Sequence, residues 1–284
     1  MSNIAWIMMI LESTALAWIP AVVLAALMLV IGLYYGWGWK ALYLLPVGPV
    51  LVAMILAGWS MGLLHVPTPA PPGTMRIAHA NTLYDLENTA PKLEFAINSG
   101  AETLSFLEIS GPLGKQLKTI SGTYPHQAMS GGNLPMALLS IYPITRAQAW
   151  GERAVLYHIA KPKVPYYVLQ VHPQSPHSRS TYTERNAKLE KITTMVKGLP
   201  QPLVMLGDMN TTPWDDALAP LFNTVQQAGG WRSTLPTFPS WMPVTPIDAL
   251  YYTQPFTPIG VQHIRVPKSD HLAIVVDMKD ARIK

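Results

Sequence analysis

Hydrophobic positions follow two regimes along the chain. From Ser13 to Tyr34, and again from Ala41 to Leu64, they run almost unbroken and without a charged side chain. Each run is about long enough to cross a bilayer as a helix. Beyond Met75 they come in short bursts closed by polar residues, the pattern of strands whose ends leave a core. Strands are predicted at Arg76–Asn81, Thr103–Glu108, Met136–Ser140, Arg153–Ala160, Tyr166–His172, Leu203–Asp208 and Ile247–Tyr252, with a last one entered from Ser269-Asp270-His271. Spacing closer to helical predicts helices at Pro91–Asn98 and Glu184–Val196, and a short one starting at Pro213. Gly131-Gly132 reads as a hairpin or bulge, since no helix start follows at the spacing of a phosphate cradle.

This divides the chain into a two-span hairpin (1–64), a proline-rich linker (65–75) and a catalytic-sized α/β domain (76–284). A signal peptide would have a basic start, a shorter apolar core and a small-residue cleavage site, whereas here two long runs follow an uncharged start. Ile4 to Ile10 is too short to span, and either extends the first helix or lies at the interface. The turn Tyr35-Gly-Trp-Gly-Trp-Lys40 carries aromatics suited to a membrane boundary and the only basic side chain before Arg76. By the positive-inside rule the turn is cytoplasmic, which places the domain on the periplasmic or extracellular face of the cytoplasmic membrane. Val66-Pro-Thr-Pro-Ala-Pro-Pro-Gly-Thr74 is expected to stay extended and hold the domain off the bilayer.

Composition narrows the chemistry. Cysteine is absent, which removes disulfides, thiolate metal sites and thiol nucleophiles. A formal net charge of +4 is too small to mark a nucleic-acid-binding surface.

The polar residues that close apolar strands are Asn81, Glu108, His172, Asp208, Asn210, Asp248, Asp270 and His271. An acid at the end of a buried strand is costly unless it is paired or binds a metal. This oxygen-rich set suits a hard cation, Mg²⁺ or Mn²⁺, better than zinc, and such a cation serves phosphate esters by neutralising charge and activating water. Ser269-Asp270-His271 cannot be a hydrolase triad, because neighbours in a strand point to opposite faces.

The ordered series Ala80-Asn81, Phe106-Leu107-Glu108, Val171-His172-Pro173, Gly207-Asp208-Met209-Asn210, Ile247-Asp248 and Ser269-Asp270-His271 resembles the endonuclease/exonuclease/phosphatase superfamily, of the DNase I and exonuclease III type. The resemblance covers roughly Arg76 to Met278. It implies a four-layer sandwich of two mixed β-sheets flanked by helices, with Glu108 and Asp270 holding Mg²⁺ and Asn81 assisting. It further implies that Asp208 orients or deprotonates the attacking water, and that Asn210 fixes it. By the same resemblance His271, held by Asp248, would stabilise the phosphate, and His172 would contact it or assist proton transfer. The residue after Asp248, often His or Arg in the family, is Ala249 here. The reading is a membrane-anchored phosphodiesterase acting on DNA or RNA. Its alternatives are a sphingomyelinase-like phospholipid hydrolase or small-molecule phosphoesterase, and a non-catalytic interaction domain on a membrane hairpin. The loop from Trp231 to Trp241 is expected as a packed cover or a substrate-contacting lid.

Overall fold

The computed structural model describes residues 3–151, 153–230 and 234–283. Three helices come first: α1 (Asn3–Ser13), α2 (Ala15–Tyr34) and α3 (Val47–Met61). The second apolar run is not one continuous α-helix. A 3-10 segment, Gly38–Leu44, leads to Pro46, which caps α3. Proline cannot donate into a preceding turn, so the helix restarts there. α2 and α3 pack closely through small residues: a Cβ on Gly48 would lie 2.5 Å from the Ala21 carbonyl oxygen. Ala15–Tyr34 and Gly38–Met61 are both long and apolar enough to cross a membrane.

The remaining strands are β1 (Met75–Asn81), β2 (Thr103–Leu107), β3 (His126–Met129), β4 (Ala137–Ser140), β5 (Ile144–Ala149) and β6 (Ala154–Ile159). They continue with β7 (Tyr166–Val171), β8 (Leu203–Asp208), β9 (Gln226–Gln227), β10 (Asp248–Tyr252), β11 (Phe256–Arg265) and β12 (Leu272–Asp280). They form two six-stranded sheets, ordered β11-β12-β1-β2-β4-β3 and β5-β6-β7-β8-β10-β9. Each sheet holds one parallel pair near its middle, β1 with β2 and β7 with β8, among antiparallel neighbours. Three further helices, α4 (Ala90–Asn98), α5 (Gly111–Leu117) and α6 (Arg179–Val196), cover the outside.

Alternation along the strands makes the four layers. Ile77, Leu107, Val168, Val204 and Leu206 point inward and fuse the two sheets. Ala78, Ala80, Leu104 and Phe106 point outward beneath Phe95 of α4 and Leu113 of α5. On the second sheet Leu169, Val171 and Met205 meet Leu189, Ile192 and Val196 of α6. The architecture is the mixed two-sheet sandwich that the family resemblance implies.

Three local expectations change. α6 starts at Arg179, earlier than Glu184, because a capping box between Ser178 and Thr181 stabilises a polar first turn that hydrophobic spacing does not reveal. The segment at Pro213 makes turns, followed by the 3-10 segment Ala219–Asn223. β11 is an edge strand whose Pro258 and Gly260 obscure its pattern, and its register shifts between those residues.

The proline-rich stretch is extended but fastened to this edge strand. Gln262 Oε1 accepts from the Thr68 N–H at 2.8 Å, and the Leu64 carbonyl accepts from the Arg265 N–H at 2.9 Å. The hairpin is therefore seated on the domain and not held off by a free spacer.

One buried ion pair ties β1 to β12. Arg76 Nε and Nη2 donate to the two oxygens of Asp277 at 2.7 and 2.8 Å, and both side chains are almost wholly buried. Removing one partner strands a charge in the core. Arg76→Met is expected to destabilise the fold by about 3–5 kcal/mol, and Arg76→Met with Asp277→Leu to recover most of that, measured by denaturant unfolding of the two variants.

Candidate active site

The inner faces of the strands turn polar toward one end of the sandwich. On β1 the inward series is Met75, Ile77, His79, Asn81; on β8 and β10 it ends at Asp208 and Asp248, which are register partners. Glu108 follows β2, His172 follows β7, and Asp270 and His271 precede β12. All eight residues named from the sequence thus arrive at this end.

Backbone geometry aims them. Glu108 and Asn210 adopt left-handed conformations, with φ of 56° and 49°. Such strain in non-glycine residues is held only where surrounding bonds fix it. The Asn210 carbonyl accepts from Arg185 Nη1 at 2.9 Å, and its side-chain amide donates to the Pro173 carbonyl at 3.1 Å. Gly207 admits β8 close to β7: a Cβ there would sit 1.9 Å from the Val171 oxygen. Only glycine fits the strand that delivers Asp208.

The side chains form one network. Asn81 Nδ2 donates to Glu108 Oε1 at 3.0 Å and to Asp208 Oδ2 at 3.2 Å, while its oxygen accepts from the Leu83 N–H. Asn81 therefore bridges the carboxylates. Asp208 Oδ1 accepts from the Asn210 N–H at 2.8 Å. His271 Nδ1 lies 2.8 Å from Asp248 Oδ2, and its Nε2 lies 3.9 Å from Asp208 Oδ2. His172 Nε2 stands 3.4 Å from Glu108 Oε1 and 3.8 Å from Asp208 Oδ2. Ser269 Oγ donates to the Asn81 carbonyl at 2.7 Å, so this serine braces β1 and is no nucleophile partner of His271.

Electrostatics separates the groups. Burial weighs most on His271 and disfavours its charge, yet Asp248, with Asp208 and Asp270, outweighs it and raises the ring to about 10. Asp248 is correspondingly held below the ordinary carboxylate range, its two histidines overcoming its burial. Burial likewise opposes ionisation of Glu108, but hydrogen bonds from His172 and Asn81 bring it down to about 2. Asp208 and Asp270 are raised, chiefly by burial.

Glu108, Asp208, Asn210, Asp270 and His271 line one cleft of about 470 Å³. Asn81, His172 and Asp248 lie beneath it, nearly inaccessible, and are not among its lining residues. Among the described residues no three His, Asp or Glu side chains close a cage around an ion. The donors fit a different arrangement. Glu108 and Asp270 face the same space, and Asp270 Oδ1 is buried without a hydrogen-bond partner. One or two carboxylates with retained waters is how Mg²⁺ is commonly held.

Sequence reasoning missed His79 and Arg185. His79 Nε2 lies 3.3 Å from Asp248 Oδ1, and its Nδ1 lies 3.2 Å from Ser105 Oγ. Alternation on β1 puts it on the face of Asn81, a signal available from sequence. Arg185, fully buried on α6, donates to Asp215 Oδ2 at 3.0 Å as well as to Asn210. Phe238 of the aromatic loop also lines the cleft, its ring centroid 4.9 Å from that of His271; Trp231 lies outside the described residues.

Several solved structures share the architecture at low identity. The endonuclease/exonuclease/phosphatase from Beutenbergia cavernae is 14% identical with a TM-score of 0.57, covering 73% of this chain and 72% of its own. TDP2 of D. rerio, solved with a single-strand DNA product, is 15% identical with a TM-score of 0.60, over 72% of this chain and 99% of its own. The human Nocturnin catalytic domain, solved with bound sulfate, is 14% identical with a TM-score of 0.55, over 74% and 96%. At such identities the likeness is one of fold. No curated protein matches the chain. The Endonuclease/Exonuclease/phosphatase family profile matches residues 31–271, most of the chain, and the protein belongs to that family.

Proposed function

We propose that the protein is a divalent-cation-dependent phosphodiesterase anchored in a membrane by its N-terminal hairpin. The observation that carries this reading is the convergence of Glu108, Asp208, Asp270 and His271 on one cleft, with Asp248 paired to His271 beneath it. Membership of a family of phosphoric ester hydrolases agrees with it. A silent interaction domain would gain nothing from carboxylates buried against one another, since each costs desolvation.

Glu108 and Asp270 would hold Mg²⁺ or Mn²⁺, with Asn81 setting the spacing of the carboxylates. When bound, the cation supplies charge for the phosphate and a more acidic water. Asp208, anchored by the Asn210 N–H, orients and deprotonates the attacking water. Water adds to phosphorus, one P–O ester bond breaks, and the departing alkoxide takes a proton. His271, kept charged by Asp248, faces the cleft through Nε2 and stabilises the phosphate oxygens. His172 acts through Glu108 as a positioning residue, because it lies below the cleft. A nucleic-acid substrate has the support of the neighbour solved with a DNA product.

The hairpin reading is supported by the exposure of Val22, Val23, Val30, Met54 and Ile55, each more than half accessible on helices with no charge between Ala15 and Tyr34 or Val47 and Met61. Tyr35, Trp37 and Trp39 at the turn suit a membrane boundary, and by the positive-inside rule Lys40 supports a cytoplasmic turn.

Three measurements test these statements. Asp208→Asn is expected to lower kcat on bis(p-nitrophenyl) phosphate about a thousandfold, and EDTA to abolish turnover reversibly; activity that survives both sinks the proposal. His79→Gln, which loosens the support of Asp248, is expected to lower kcat about tenfold with KM little changed, against about a hundredfold or more for Asp248→Asn. Alkaline phosphatase fused after Lys284 should be active in intact cells; an expressed but inactive fusion would place the domain in the cytoplasm.

A further inference from the structure

One wall of the cleft comes from outside the sandwich. Met9, Ile10, Ser13 and Thr14, from α1 and the turn after it, line the same space as the site carboxylates. Leu83, Pro176, Phe238 and Ile247 supply more apolar lining, and among the described residues no lysine or arginine lines the cleft. A polyanion bound along its backbone calls for a basic track, which this lining lacks.

Both ends of the hairpin land on the rim of the site. At the first, Trp214 Nε1, four residues beyond Asn210, donates to the Glu12 carbonyl at 2.8 Å. Trp214 then borders a second, shallow and almost wholly apolar cleft of about 280 Å³ with Ala15, Leu16, Ile19 and Pro20 of α2. At the second, Ser60 Oγ near the end of α3 donates to the Ser240 carbonyl at 2.8 Å, and the Ser240 N–H donates to the Asp270 carbonyl at 2.6 Å. The apolar surface of α2 is thus continuous, through Trp214 and the start of α2, with the wall facing Asp208 and Asp270. α1 itself exposes Ile7, Met8 and Leu11 beside this wall, which suits a helix lying in the interface.

We propose that α1 and the start of α2 form a hydrocarbon subsite, and that the substrate is a membrane phospholipid entering from the bilayer past Trp214. This rests on the phosphodiesterase reading above. The single headgroup phosphate sits among Glu108, Asp208, Asp270 and His271, and an acyl chain lies along Ile10 and Phe238. Water adds to phosphorus and the bond to the lipid alcohol breaks. That alcohol takes the proton and stays in the bilayer, and the phosphorylated headgroup leaves to water. α1 and the start of α2 precede the segment that the family profile matches.

The test uses the full chain in vesicles of phosphatidylcholine, phosphatidylethanolamine and phosphatidylglycerol with Mg²⁺, alongside bis(p-nitrophenyl) phosphate and a single-stranded oligonucleotide. Headgroup phosphate should be released at least tenfold faster than the oligonucleotide is cut. Ile10→Gln and Trp214→Phe should each lower the ratio of lipid to soluble-diester hydrolysis at least fivefold. Taking the ratio within each preparation removes any loss of folded protein. Without turnover, in EDTA, a phosphatidylcholine with a photoreactive acyl chain should label the peptides carrying Leu83 or Phe238. An unchanged ratio in both variants, preference for the oligonucleotide, or labelling confined to α2 and α3 overturns the subsite while the soluble diester is still cleaved. No cleavage of any substrate overturns the phosphodiesterase reading with it.

Discussion

A chain of hydrogen bonds crosses the space between the two sheets, and the site depends on it. Gln170 Nε2 on β7 donates to Ser105 Oγ on β2 at 2.8 Å; Ser105 meets His79, His79 meets Asp248, and Asp248 meets His271. Each member is buried, so each partner is needed by the next. On one side of this seam the interior is largely apolar, with a buried hydroxyl pair, Thr103 and Tyr166, 2.8 Å apart; on the other, carboxylates begin. The seam lets one sandwich have a dry core and a charged end without water reaching far between the sheets. It also couples the sheets: a shift of β7 against β2 would be felt at the His271 ring.

The paired arrangement of the sheets explains where the charge goes. β1 with β2 and β7 with β8 are the parallel pairs, so both sheets point strand ends the same way from their centres. Ends of parallel strands are where a fold can present loops without breaking its ladders. Five of the site residues, Asn81, Glu108, His172, Asp208 and Asn210, lie at or just past these ends, and β10 and the entry to β12 bring the others from antiparallel partners.

Much of this was legible before any coordinates. Polar residues closing apolar strands named every member of the network except the ones hidden by their surroundings. His79 sits among Ile77, Ala78 and Ala80, where a histidine reads as core, and Arg185 sits in a helix whose polar faces look solvated. What could not be read was contact across long sequence distance. Nothing in Ile4 to Ser13 announces that Met9, Ile10 and Ser13 line the same cleft as Asp270, and nothing in the proline stretch announces that Thr68 bonds Gln262. β11 escaped because its proline and glycine break the alternation at a bulge, although the edge position makes both acceptable there.

The bond from Trp214 to the Glu12 carbonyl bears on how this protein can be handled. A chain trimmed to begin at Arg76 keeps all eight site residues and every member of the hydrogen-bonded seam, and loses one side of the cleft. Its carboxylates then open onto water where the intact protein presents methyl and methylene groups. The trimmed molecule has a different mouth, and any ranking of phosphate esters measured on it describes that mouth and not the native one.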